Sequence, residues 1–149
     1  MGFSAQINNM HQGAAMSFPR VDGLRTVEFG NPGESRNKIL DCLFNGNKRA
    51  TAGLVEYDYV AENEPFEHVG EVLVVVGNNG EYLGRIRVTS VEVVRFDQVP
   101  DEFALAEAEG DLTGDDFRKS HGEFWASCGY EVKPETEVVL VYFDLVSAN

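Results

Sequence analysis

The sequence predicts an α+β domain built on a curved, mostly antiparallel sheet or small barrel with helices inserted between the strands. Three observations carry that expectation. Strand-like runs recur at "TAGLVEYDYV", "EVLVVV", "YLGRIRVTSVEVVRF" and "TEVVLVYFDLV". Two of them are joined by the short turn signal "GNNG", which makes neighbours antiparallel. Finally, the helical patterns fall between strands without alternating one for one, unlike a parallel α/β fold.

Taken in order, residues 1 to 22 are polar, rich in Gly, Asn and Gln, and lack periodicity, so they read as a flexible extension. The domain proper is expected over 23–149. "FGNPGES" clusters turn residues and opens a helix at Glu34 or Ser35. Ile39, Leu40, Leu43 and Phe44 give that helix one apolar face, and Gly46 stops it by accepting a left-handed backbone. A strand is expected from Thr51 to Val60, a second at "EVLVVV", and after the "GNNG" turn one long strand or two reaching Phe96. "VPDEFALAEAEG" reads as a short helix ended by Gly110. In the next helix Thr113 and Asp116 have capping-box spacing, and Phe117, His121, Phe124 and Trp125 share a face. "TEVVLVYFDLV" closes the domain as a strand.

Composition narrows the function. The 149 residues carry 12 basic and 25 acidic side chains, a formal net charge of -13. Binding to duplex DNA rests on neutralising phosphates with Lys and Arg, so the total speaks against it. The charge is uneven, however. Six of the 12 basic residues lie between Arg20 and Arg49, whereas Asp97 to Asp116 holds eight acids and no base. A local positive mouth facing an acidic segment suits a small polar ligand better than a long RNA.

No apolar run approaches the 18 residues of a membrane span, and the N-terminus lacks the layout of a signal peptide, so no membrane partner and a cytoplasmic location are expected. Cys42 and Cys128 form no CxxC, and His11, His68 and His121 show no ligand spacing; neither a metal nor another cofactor is expected.

The stretch "GNKRAT" places Gly46, Lys48 and Thr51 as GxKxxT between a helix and a strand. Alone, the triplet is a helix stop, a solvated turn and a strand start. It is not a phosphate-binding loop of the GxxxxGK[ST] type, whose glycines are missing. Together with "HVGEVLVVV", "IRVTSVEVVRFDQVP", "AEGD" and the aromatic helix "FRKSHGEFW", in that order, it resembles the ASCH domain family, in particular its longer bacterial subgroup. The resemblance covers about residues 24 to 146.

It implies a PUA-like small barrel with a cleft for a nucleoside, a nucleotide or a single-stranded RNA end. In the family's small amidohydrolases of N4-acylcytidine a lysine, a threonine and a glutamate form the catalytic set. On this chain they fall on Lys48, Thr51 and Glu109. Where those enzymes carry arginine two residues after the threonine, this chain has Gly53. The alternatives are a module that binds RNA or nucleotide without turnover and, less favoured, a ribonuclease.

A threonine hydroxyl needs a base within reach, and Lys48 serves either as that base, if desolvated, or as a cation at an oxyanion. Arg36 and Arg49 are expected to supply charge to the ligand. Tyr57, placed on the parity of Thr51, is expected to line the cleft, and His121 and Trp125 to approach it.

Overall fold

In a computed structural model of the chain, residues 20–148 are described together with the backbone of Ala5–Gln6. The expected extension over 1–22 lies almost wholly outside these residues.

The strands are β1 (Ala5–Gln6), β2 (Thr26–Phe29), β3 (Ala50–Leu54), β4 (Val72–Val76), β5 (Tyr82–Arg95) and β6 (Glu137–Ala148). The helices are α1 (Glu34–Phe44), α2 (Asp101–Glu107) and α3 (Gly114–Ser127). Five strands make a mixed sheet in the order β2-β4-β5-β6-β3, and β1 adds to its edge beside β2. All pairings are antiparallel except β2 with β4. Among the described residues no ladder joins β3 to the opposite edge, so the barrel-like sheet is not closed.

The backbone of the sheet is the β4–β5–β6 meander. "GNNG" turns β4 into β5, with the Gly77 amide donating to the Glu81 carbonyl at 2.9 Å. The long strand β5 keeps one identity by absorbing register shifts at Arg85/Ile86 and between Val88 and Ser90, which is why its sequence alternation changes phase there. Strand β2, which no sequence pattern separated from the turn residues around it, pairs in parallel with β4 through Thr26↔Val74 and Val27↔Val75.

Each face of the sheet carries a core. On one, Ile39, Leu40 and Leu43 of α1 pack with Val27, Phe29, Leu73, Val75, Val139, Val141 and Phe143. On the other, Phe103 of α2 and Phe117, Phe124 and Trp125 of α3 pack with Ala50, Ala52, Leu54, Val138 and Leu140. Strand β3 is buried on both faces, and its small residues let helices and strands approach closely. Its even positions face α2 and α3. Thr51 and Gly53, whose partners on β6 are Val141 and Val139, face the Phe29 side.

The strand expected over 51–60 ends at Leu54, and Val55–Val60 winds into a π-helical turn. Two contacts explain the change. The Leu54 amide donates to Asp58 Oδ2 at 2.7 Å, and the Tyr59 hydroxyl donates to the buried Glu67 at 2.7 Å. Both fold the chain back onto the end of β3, where a strand would have carried it away. Among the described residues no helix is long and apolar enough to cross a membrane.

Candidate functional site

The segment between α1 and β3 is fixed at both ends before any side chain matters. Gly46 takes a positive φ of 88°, and the amides of Asn47 and Lys48 both donate to the Cys42 carbonyl at 3.0 Å. The Arg49 amide donates to the Ala106 carbonyl of α2 at 2.7 Å, and its carbonyl accepts from the Phe143 amide of β6 at 2.9 Å. Lys48 is therefore aimed inward towards the C-terminal end of α2, with 1 % of its surface exposed.

There its ammonium donates to Glu109 Oε2 at 2.5 Å and to the Glu107 carbonyl at 3.1 Å. The nitrogen lies 5.8 Å from the centre of the Phe29 ring, the side of the sheet that Thr51 also faces. Thr51 is 1 % exposed in the middle of the β3–β6 ladder, so its rotamer is held by packing on both sides.

The acidic half of the site is made by one backbone feature. On a regular helix, residues two apart point away from each other, so Glu107 and Glu109 would diverge. Ala108 instead adopts the left-handed conformation, φ 55° and ψ 39°, at the end of α2. That single reversal turns both carboxylates inward; Glu107 is fully buried and the Glu109 side chain is 3 % exposed. A non-glycine residue held there is strained, a common mark of a functional turn.

Burial pushes the Glu109 carboxyl up to about 7, helped by the negative charge of Glu107 and opposed by Lys48 and His121. His121, stacked on Phe117 at 3.9 Å, is fully buried with Nε2 3.2 Å from Glu107 Oε1 and Nδ1 3.7 Å from Asp111 Oδ2. Burial pulls its pKa down, but the charges of Glu107, Glu109 and Asp111 outweigh that and raise it.

The structure thus brings together Lys48 and Glu109 across 61 positions of sequence, with His121 behind Glu109. Other expected site residues go elsewhere. Arg36 is 1 % exposed and donates to the carbonyls of Phe29, Gly30 and Gly77 at 3.0, 2.9 and 3.4 Å, fastening α1 to the turns at the ends of β2 and β4. Arg49 is on the surface, paired with Asp144. Tyr57 does not share the face of Thr51, because the π-helical turn breaks the strand parity; it stacks on Tyr130 at 4.2 Å and accepts from the Glu131 amide. Trp125 is fully buried against Phe96, Phe117 and His121.

Glu107 and Asp111 were not singled out by sequence reasoning, since acids in an acid-rich stretch are usually solvated; the signal available was their spacing around "AEGD". The place of the family arginine is also clear. A Cβ on Gly53 would lie 3.1 Å from Tyr59 Cε2 and 3.3 Å from Asp58 Oδ2, so the π-helical turn fills the space beside it.

An α+β domain with this order of strands, an open PUA-like sheet and a buried lysine between α1 and β3 defines a class of protein, and comparison with known proteins agrees with it. The family model described as ASCH domain matches residues 25–147, and the chain belongs to the ASCH domain family. An ASCH domain from Lactobacillus crispatus is 30% identical, superposes with a TM-score of 0.68, and covers 79% of this chain and 76% of its own. A protein from Enterococcus faecalis is 26% identical, with a TM-score of 0.67 over 78% of this chain and 72% of its own. No curated protein matches the chain.

Proposed function

We propose that the protein is an amidohydrolase acting on a small acylated nucleoside of the N4-acylcytidine type, with Lys48, Thr51 and Glu109 as its catalytic set. The observation that supports this most is the buried contact of Lys48 Nζ with Glu109 Oε2 at 2.5 Å, made by residues far apart in sequence. Burial alone would fit a structural pair; what supports the reading is that the lysine meets a carboxyl pushed up to about 7, in a cluster of side chains that titrate.

The chemistry follows from the partners. Held between a carboxylate and a main-chain carbonyl, Lys48 serves as an ammonium ion, and it stabilises negative charge developing on the acyl oxygen. The Thr51 hydroxyl attacks the acyl carbon, Glu109 takes the hydroxyl proton, and the same proton goes to the leaving amino nitrogen as the C–N bond breaks. Water then cleaves the threonyl ester, releasing the carboxylic acid and restoring the hydroxyl. The acidic total favours such a small substrate over a long RNA.

Purified protein should hydrolyse N4-acetylcytidine, and Thr51→Ala should lower kcat by at least about 100-fold, the scale on which removal of a nucleophile acts. If no acylated nucleoside is turned over while nucleotides still bind, the enzyme reading is wrong. A second reading, binding of a nucleotide or a single-stranded RNA end without turnover, is favoured by Gly53, which offers no guanidinium to the cleft and has little room for one.

A further inference from the structure

Behind the Lys48–Glu109 pair, Glu107, Asp111 and His121 place one ligating atom each within 4.8 Å of one another. All three residues are buried. We infer that this cluster is a binding site for a divalent first-row transition metal ion, with His121 and the carboxylates of Glu107 and Asp111 as its protein ligands.

Glu107 supplies the first argument. Its side chain is fully buried, and neither carboxylate oxygen receives a hydrogen bond. A buried carboxylate without donors is costly, and such groups are almost always satisfied by a protein donor, a water or an ion. His121 Nε2 lies 3.2 Å from Glu107 Oε1, yet the pair is not aligned as a hydrogen bond. Two donors bound to one ion at about 2.1 Å stand roughly 3.0 Å apart at an octahedral angle and roughly 3.4 Å apart at a tetrahedral one. The observed separation falls between them.

Ser120 supplies the second. Its hydroxyl has one proton, which it donates to Asp111 Oδ2 at 2.7 Å. Towards His121 Nδ1, 3.2 Å away, the same oxygen is then an acceptor, so Nδ1 carries the ring proton. Nε2 is then the ring atom beside Glu107, 3.2 Å from its Oε1. A ring nitrogen fixed by a hydrogen bond on one side so that the other can ligate is the usual arrangement of metal-binding histidines. Stacking on Phe117 holds the ring plane.

One imidazole with two carboxylates selects Mn²⁺, Fe²⁺, Co²⁺ or Zn²⁺ over Mg²⁺ and Ca²⁺, which prefer oxygen alone. Asp111, 9 % exposed, is where an ion would enter. The inference does not depend on turnover at Thr51.

The full chain, stripped with EDTA, should be titrated with Co²⁺ and followed by visible absorption. The expected result is a d–d band saturating at about one equivalent, displaced by Zn²⁺ and unaffected by excess Mg²⁺. Asp111→Asn should weaken binding by about 100-fold and Ser120→Ala by about 10-fold. Both positions lie towards the edge of the cluster, so these variants keep the test open should Glu107→Gln fail to fold. Absence of a band in the wild type overturns the inference and leaves His121 as an imidazolium between carboxylates. Binding that neither variant changes overturns it as well, by assigning the ion to surface carboxylates.

Discussion

Arg36 and Lys48 are equally inaccessible, each 1 % exposed, and they make opposite kinds of contact. The Arg36 guanidinium donates to three main-chain carbonyls, those of Phe29, Gly30 and Gly77, and so locks the start of α1 onto two turns. The Lys48 ammonium meets a carboxylate and one carbonyl at the end of α2, in a cluster with more acids than bases. Burial of a cation is therefore no sign of function by itself. What distinguishes the two is the hydrogen-bonded partners: fixed peptide groups for Arg36, whose one ion-pair partner, Glu28, stands 3.9 Å away, and for Lys48 a carboxylate within a cluster of side chains that titrate and ligate.

The sharpest way to break the comparison is substitution. Arg36→Met removes the guanidinium from the Phe29 and Gly30 carbonyls, while that of Gly77 keeps the Gly80 amide, and should cost about 3 kcal/mol, lowering Tm by about 10 °C, with no second-site replacement able to rescue it. Lys48→Met should cost less, about 1–3 kcal/mol, because Glu109 can take a proton once its partner is gone. Adding Glu109→Leu to Lys48→Met should restore most of that loss, since an apolar pair of similar volume often replaces a buried ion pair without penalty. Thermal melts of the three variants check all of this. Rescue of the lysine variant and not of the arginine one is the expected pattern.

A pH series sharpens it at another buried carboxyl. Burial raises the pKa of Glu67, against the pull of the Tyr59 hydroxyl and of Arg25. The folded state then binds this proton more tightly than the unfolded chain does, so its contribution is present below the unfolded value near 4.5 and is lost as pH rises through the folded one. Glu67→Gln should flatten the fall of Tm with rising pH above 4.5, and an unchanged slope would show that Glu67 is not raised. The smallest expected effect is at Ala108. Glycine there relieves the left-handed backbone and should stabilise the fold by about 0.5–1 kcal/mol while leaving Glu107 and Glu109 in place.

Much of the fold could be read from residue pattern. The Ile39, Leu40 and Leu43 face, the "GNNG" turn and the Thr113 cap each rest on local chemistry, and each appears: α1 packs by that face, the turn joins β4 to β5, and Thr113 Oγ1 accepts from the Asp116 amide at 3.0 Å. What pattern could not give depended on distant partners. β2 is a strand because β4 lies beside it, and "VEYDYV" is a π-helical turn because Asp58 and Glu67 capture Leu54 and Tyr59. The same limit applies to the site. Lys48 and Glu109 were named from a family likeness and meet in space. Glu107 and Asp111 carry the pattern of solvated acids, and the left-handed backbone at Ala108, which no residue pattern announces, turns this stretch inward.

The central claim is that the Lys48–Glu109 pair serves chemistry rather than stability. It is tested most directly by turnover of N4-acetylcytidine in the Lys48→Met/Glu109→Leu protein beside wild type, with folding of both confirmed by thermal melts. The account predicts near-wild-type stability with hydrolysis reduced by at least about 1,000-fold, the scale expected when residues that act as a unit are removed. A stable double variant that still hydrolyses the substrate at the wild-type rate would contradict it, as would a wild type that hydrolyses no acylated nucleoside.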